Sequence, residues 1–163
     1  MPSAYHAVVT KLSDRSSILF DLFATSHRVR SLLVAAMADA GLGPDDYAVY
    51  SGVFEFGPIS PTDLAAVVGM PATTVSHYIR AMRERGHIHE APHPVDGRSR
   101  TITLTPRGRG AHRRANGAFE EAYRRFMAGI RDADVTRATL REIEEAATAA
   151  LGELRRDATA EAG

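Results

Sequence analysis

Five polar side chains recur on one side of a short predicted helix that follows Pro71. Their hydroxyl, imidazole and guanidinium groups hydrogen-bond to base edges and to phosphate oxygens. The set consists of Thr73, Thr74, Ser76, His77 and Arg80. Ser76 and His77 suit base edges or nearby phosphates, and Arg80 suits a guanine edge or the backbone. The two threonines suit phosphates at the helix N-terminus, which attracts anions.

The positive charge of the chain is concentrated around these side chains. Between residues 60 and 114 there are nine arginines and four carboxylates, a net charge of +5, and the rest of the chain carries −5. A formally neutral chain with its excess basic charge in one segment is suited to a polyanion. Taken singly, each polar residue could belong to a solvated helix face. Together with the charge, they predict double-stranded DNA as the partner.

Two short helices would position this polar side. Residues 60–63 supply a hydroxyl cap, a proline at the first helical position and a carboxylate at the third, and Gly69 ends that helix. A second helix follows Pro71 and ends at Gly86, with its apolar side at Val75, Ile79 and Met82. Two short helices joined around a glycine form a helix-turn-helix unit.

The flanking sequence predicts two strands and long helices. Apolar and polar residues alternate around Ile88, which lies between two histidines, and again at Ile102 and Leu104, which alternate with threonines. This pattern predicts two strands, and the loop between them contains the turn dipeptide Asp96-Gly97. Thr105-Pro106 begins another helix, and Asp134 is the predicted cap of the last one. The predicted organisation is an arm at 1–12, a long helix at 13–43, a DNA-binding domain at 44–108, C-terminal helices at 109–158 and a tail at 159–163.

Composition excludes several other classes of protein. The chain has no cysteine, which excludes disulfides, thiolate zinc sites and a catalytic thiol. Its longest apolar run, at residues 32–38, is too short to cross a bilayer, so we expect a cytoplasmic protein with no membrane partner. No nucleophile elbow, phosphate loop, dinucleotide fingerprint or zinc-protease motif occurs. We therefore expect neither enzymatic activity nor a cofactor.

The order and spacing of these motifs resemble those of the MarR family of bacterial winged helix-turn-helix regulators. The resemblance extends over residues 13–154 and is most specific over residues 64–108. It rests on the helix pair DLAAVVGMPATTVSHYIRAMRERG, on the wing tip Asp96-Gly97-Arg98, and on the sequence LTPRG at residues 104–108. His87 departs from the pattern, since a leucine usually follows the glycine, and Glu90 lies near a position that is often basic.

The resemblance implies a mainly α-helical fold: a winged helix-turn-helix with a two-stranded β-wing and long N- and C-terminal dimerisation helices. It implies a homodimer that binds a near-palindromic operator, most often as a repressor. It also implies that Arg98 enters the minor groove, where negative potential is enhanced, and that Arg100 assists on phosphate. The alternative for Arg98 is an exposed ion pair with Asp96, worth less than about 1 kcal/mol.

A small-molecule site is also implied, since members of the family often bind aromatic acids between the dimer helices and the DNA-binding lobe. The candidate residues here are His27, Arg30, Tyr47, Tyr50 and Phe54. The simpler interpretation is that the aromatic residues belong to the core and that the arginine is solvated.

Two alternative functions remain open at this point. One is a winged-helix protein–protein adaptor, which would be expected to have apolar residues in place of the arginine wing and of residues 73–80. The other is metal-responsive DNA binding, for which His87 and His89 would lie on the same side of a strand, with His93 close by. A zinc site normally needs three or four ligands, and no cysteine or carboxylate cluster is near. We therefore expect structural or surface histidines and no metal.

Overall fold

The computed structural model describes residues 18–93 and 99–160, which form six helices and a two-stranded antiparallel sheet. The elements are α1 (Ile18–Ala36), α2 (Pro44–Phe56), α3 (Pro61–Val68), α4 (Ala72–Glu84), β1 (Ile88–Pro92), β2 (Arg100–Leu104), α5 (Pro106–Met127) and α6 (Ala133–Ala160). The mainly α-helical winged-helix prediction is confirmed. None of the described helices is both long and apolar enough to span a membrane. One compact unit ends at Ala122 and a second begins at Tyr123.

The predicted helix-turn-helix forms because its local signals agree. Ser60 Oγ accepts a hydrogen bond from the Asp63 backbone N–H at 3.1 Å, which caps α3. Gly69 ends α3 in the left-handed conformation, with φ of 65°, which a residue with a Cβ seldom adopts. Pro71 then precedes α4, which begins without a side-chain cap.

The core of the first unit lies between α2, the helix-turn-helix and the sheet. Its largest fully buried side chains are Tyr50, Leu64, Met82, Ile102, Val49, Val53 and Val75. Because α4 contributes Val75, Ile79 and Met82 to this core, its opposite side lies outward.

The wing is a short hairpin tied to the core. β1 and β2 pair from Ile88 opposite Leu104 to Pro92 opposite Arg100. Ile59, before α3, forms a bridge with Ile102 of β2, with backbone hydrogen bonds of 2.9 and 3.2 Å. The predicted turn at Asp96-Gly97 and Arg98 lies outside the described residues.

Two local predictions were wrong. The last helix is capped by Asp132 instead of Asp134, since Asp132 Oδ1 accepts from the backbone N–H groups of Asp134 and Val135, each at 3.0 Å. Asp134 lies in the first turn. His87 does not share a side of a strand with His89: β1 begins after His87, which is buried, whereas His89 is exposed.

His87 is buried because the chain crosses the core between α4 and β1. Its Nδ1 lies 2.7 Å from the Tyr50 hydroxyl. Burial lowers the pKa of His87, and the positive charges of Arg107, Arg85 and Arg114 lower it further. The imidazole is therefore held neutral inside the core.

The start of α5 is packed tightly against the same segment. Thr105 Oγ1 accepts from the Gly108 backbone N–H at 3.0 Å and donates to the Gly86 carbonyl at 2.9 Å. A Cβ on Gly108 would lie 2.1 Å from the His87 carbonyl oxygen, far inside van der Waals contact. Only glycine allows this approach of helix and loop.

We expect Gly108→Ala to lower the free energy of unfolding by about 1–3 kcal/mol or more, because either α5 or the backbone at His87 must shift. Gly117→Ala is the matched control in the same helix. A Cβ at Gly117 meets nothing within 4 Å, so this change should stabilise the protein by up to about 1 kcal/mol. Urea denaturation of both variants measures the difference, and equal effects would contradict the close approach.

We expect stability to fall as the pH drops below about 6.5, the ordinary pKa of histidine. The pKa of His87 is lower in the folded protein than in the unfolded chain, so the unfolded chain takes up the proton first. His87→Gln should therefore reduce the slope of unfolding free energy against pH, by at most about 1.4 kcal/mol per pH unit. Denaturation between pH 5 and 7 measures this slope. His89→Gln, at an exposed site, is the control, and an equal change there would exclude His87 as the cause.

Candidate nucleic-acid interface

The outward side of α4 carries the five polar residues predicted from the sequence. Thr73, Thr74, Ser76, His77 and Arg80 are all exposed. The apolar residues between them, Val75 and Ile79, are 0% and 5% exposed. The helix therefore has one apolar and one hydrogen-bonding side, as its spacing predicts.

Contacts along α4 orient two of these side chains. Arg80 Nη2 lies 2.9 Å from His77 Nδ1. Because a guanidinium can only donate, Nδ1 must accept, which leaves the proton of a neutral imidazole on Nε2. His77 would then offer an N–H donor to an acceptor on another molecule. Ser76 Oγ donates to the Ala72 carbonyl at 2.8 Å, and its oxygen can still accept.

A second basic group lies where α4 meets the wing. Arg83 Nε donates to Glu90 Oε1 at 2.6 Å, and Arg100 Nε lies 3.4 Å from Glu90 Oε2. Both arginines line a cleft of about 550 Å³, which is also bordered by Thr62 at the start of α3 and by Ser99 before β2. The predicted phosphate residue Arg100 is thus placed beside Arg83. The role of Glu90 in holding them was not predicted.

Arg98, the predicted minor-groove residue, lies outside the described residues. The described residues that flank positions 94–98, His93 and Ser99, are joined by a backbone hydrogen bond of 2.9 Å from the His93 N–H to the Ser99 carbonyl.

The first turn of α2 links α4 to α1 through two adjacent carboxylates. Asp45 accepts two hydrogen bonds from Arg30 of α1, at 2.5 and 2.8 Å, and one from the Tyr78 hydroxyl of α4 at 3.4 Å. The bonds from Arg30 lower the pKa of Asp45. Asp46 pairs with Arg85 at 3.1 Å. The predicted ligand residue Arg30 is thus an ion-pair partner in this structure.

The remaining predicted ligand residues lie in separate surroundings. Tyr50 is fully buried, and its hydroxyl contacts His87. It therefore belongs to the core, which was the simpler of the two interpretations from the sequence. His27 is in edge-to-face contact with Phe23 of α1, at 4.6 Å between ring centroids. Tyr47 and Phe54 lie together, on either side of a histidine from α5.

That histidine, His112, was not identified from the sequence. Its ring stacks on Phe54 at 4.5 Å and on Tyr47 at 5.4 Å between centroids. His112 Nε2 lies 3.1 Å from Ser51 Oγ, and the Tyr47 hydroxyl donates to Asn116 at 2.6 Å. Burial lowers the pKa of His112. Its Nδ1 is the one buried side-chain polar atom without a hydrogen-bond partner in the described part of the chain.

The histidines do not form a metal site within residues 18–93 and 99–160. No group of three or more His, Cys, Asp or Glu side chains is arranged there to hold a metal ion. His87 instead has the Tyr50 hydroxyl as its partner.

Comparison with known proteins identifies the fold through solved structures. Neither a family model nor a curated protein sequence matches the chain. A MarR-family transcriptional regulator from Rhodococcus sp. RHA1 is 27% identical, with a TM-score of 0.67, over 81% of this chain and 95% of that one. A probable transcriptional regulator from Pseudomonas aeruginosa is 26% identical, with a TM-score of 0.69, over 81% and 98%.

A third similar structure has a ligand. It is CouR from Rhodococcus jostii RHA1 bound to p-coumaroyl-CoA, 26% identical with a TM-score of 0.69, over 78% of this chain and 92% of that one. These similarities support the winged-helix fold that the sequence predicted. The resemblance inferred from the motifs is confirmed, and the chain is similar to MarR-family winged-helix transcriptional regulators.

Proposed function

We propose that the protein is a homodimeric repressor that binds double-stranded DNA sequence-specifically at a near-palindromic operator and responds to a small ligand. The observation that carries this proposal is the outward side of α4, where five hydrogen-bonding residues are exposed opposite a fully packed apolar side. A helix with such a side, following a short capped helix and a tight turn, has the form of a recognition helix.

The dimensions and chemistry of α4 suit the major groove. Its 13 residues make a rod of about 20 Å, and the groove is about 12 Å wide. His77 Nε2–H can donate to a purine N7 or to the O6 of guanine, and Ser76 can accept or donate. Thr73 and Thr74 lie in the first turn, where backbone N–H groups favour phosphate. An adaptor surface would be apolar at these positions, and this one is polar.

A dimer is supported by apolar residues that the first and last helices expose. In α1, Ile18, Leu19, Phe20 and Phe23 are each at least half exposed, and the helix has no buried residue. In α6, Val135, Leu140, Leu151 and Leu154 are exposed, and again no residue is buried. Helices of this kind are stable in water when another apolar surface covers them. We infer that a second copy of the chain does so.

DNA as the partner is further supported by a relative. CouR has also been solved bound to a 23-mer DNA duplex. Two copies of this chain would place two α4 helices in successive major grooves, with half-sites about 10 base pairs apart. The wing residue Arg98 is proposed to enter the minor groove, and Arg100 to bind phosphate.

The ligand is proposed to be a small aromatic acid. The stacked rings of Tyr47, His112 and Phe54 suit a planar molecule, and the CouR ligand contains an aromatic acyl group. Such a ligand would relieve repression by binding preferentially to a dimer whose two α4 helices are out of register with the grooves. His27, Arg30 and Tyr50 would contribute only if the dimer or the ligand rearranges their present contacts.

We expect selection from a random pool of duplexes to enrich a symmetric sequence with half-sites about 10 base pairs apart. The protein should elute as a dimer in size-exclusion chromatography with light scattering. A double variant, Ser76→Ala with His77→Ala, should remove the enrichment while remaining dimeric. A monomeric wild type, or a wild type that enriches nothing, would overturn the proposed function.

We expect Arg98→Ala to weaken binding to the selected duplex. If Arg98 neutralises one phosphate, the slope of log affinity against log salt should become shallower by about one unit. Fluorescence anisotropy at several salt concentrations measures both quantities. Arg137→Ala, which removes a positive charge from α6 outside the basic segment, is the control. Identical affinity and slope in Arg98→Ala and the wild type would remove Arg98 from the interface.

A further inference from the structure

Glu90 of β1 lies between two arginines that belong to different elements. Arg83, in the last turn of α4, reaches Glu90 Oε1 with both its Nε and its Nη2. Arg100, the first residue of β2, places its Nε 3.4 Å from Oε2. Each carboxylate oxygen therefore holds a different guanidinium, and the single acid joins the end of α4 to the wing.

The acid is less exposed than the two guanidinium groups. The Glu90 side chain is 20% exposed, whereas those of Arg83 and Arg100 are 56% and 62% exposed. A guanidinium has five N–H donors in a fixed plane. Glu90 is approached by Nε and Nη2 of Arg83 and by Nε of Arg100, so each guanidinium keeps further N–H donors for another acceptor.

Arg83 and Arg100 both border a cleft where α3, α4 and the wing meet. The two arginines line it together with the hydroxyl residues Ser60, Thr62 and Ser99 and with the carboxylates of Asp63 and Glu90. Its volume of about 550 Å³ leaves ample room for a phosphate group. The cleft is formed by the start of α3, by α4 and by the base of the wing, and the last two are proposed to contact DNA. The two guanidinium groups at its border suit a backbone phosphate.

We propose that Glu90 is a positioning residue for specific DNA recognition, which rests on the proposed function. By fixing Arg83 and Arg100 in one arrangement, it lets both bind the backbone only when α4 is correctly seated in the groove. Phosphate contacts fix the register of a protein on DNA, whereas unrestrained arginines attract any phosphate. Preorganisation of this kind strengthens the correct complex by reducing the ordering that binding requires.

The charge of Glu90 acts in the same direction. A carboxylate close to the DNA backbone repels every duplex, whatever its sequence, and so weakens non-specific binding. In the correctly seated complex, this repulsion is offset by the two arginines that the carboxylate holds. Removing the charge of Glu90 should therefore raise the affinity for non-specific duplexes and lower the affinity for the operator. Both changes reduce the ratio of specific to non-specific affinity.

Glu90→Gln tests the proposal because it keeps the shape of the side chain and removes only its charge. The probes are the duplex selected from the random pool and a scrambled duplex of equal length, measured by fluorescence anisotropy. We expect affinity for the scrambled duplex to rise about twofold and affinity for the selected duplex to fall about fivefold, so the ratio falls about tenfold. The thermal midpoint, measured in parallel, shows whether the variant is folded.

Glu84→Gln is the matched control, since Glu84 is the exposed last residue of α4 and the change removes the same charge. It should raise affinity for both duplexes by a similar factor and leave their ratio unchanged. If Glu90 acts through Arg83, the effect of Glu90→Gln on the ratio should be much smaller in an Arg83→Gln background. This second measurement compares the single variant Arg83→Gln with the double variant that also carries Glu90→Gln. Because both lack Arg83, any loss of stability caused by removing Arg83 is common to both and cancels in the comparison.

The outcomes separate the two proposals. If the wild type selects a symmetric duplex but Glu90→Gln behaves like Glu84→Gln, the positioning role is wrong and the proposed function stands. The same conclusion follows if the effect of Glu90→Gln is undiminished without Arg83. If the wild type selects no duplex, the proposed function fails and the role of Glu90 fails with it.

Discussion

The burial of Val75, Ile79 and Met82 fixes the rotation of α4 about its own axis. These side chains are 5% exposed or less and enter the same core as Tyr50 and Leu64. Successive residues of a helix are about 100° apart, so the choice of the buried side also decides the outward side. A rotation by one residue would bury polar groups without partners, at a cost of about 1–3 kcal/mol each. The hydrogen-bonding side of α4 therefore lies outward because of packing.

Two polar contacts connect α4 to the first turn of α2. Tyr78 is bonded to Asp45, and Arg85 is paired with Asp46, both in the first turn of α2. Asp45 is also the partner of Arg30 in α1. A displacement of α1 relative to α2 would disturb the carboxylate that also holds Tyr78. The acidic first turn of α2 thus connects α1, which exposes apolar residues, to α4, which exposes hydrogen-bonding residues.

The features that could be predicted from the sequence are those that depend on neighbouring residues in the chain. Caps at Ser60 and Thr105, and the stop at Gly69, each depend on residues within one helical turn, and all three are present. The stacking of His112 between Tyr47 and Phe54 and the position of Glu90 depend on elements far apart in the chain, so spacing alone could not predict them. Asp132 was missed as a cap because Asp134, two residues on, presents the same local signal.

Counting charges along the sequence locates the basic segment but does not show which arginines are available to DNA. Arg85 belongs to the basic segment, but its ion-pair partner Asp46 lies outside it. The net charge of the segment therefore counts Arg85 without the carboxylate that is paired with it. Arg109 is also engaged, since it donates to the Leu104 carbonyl at 2.6 Å. Arg83 and Arg100 share one carboxylate, which leaves them a net charge of +1 and their outer donors. Long-range attraction depends on the sum of the charges, whereas discrimination depends on how each guanidinium is held.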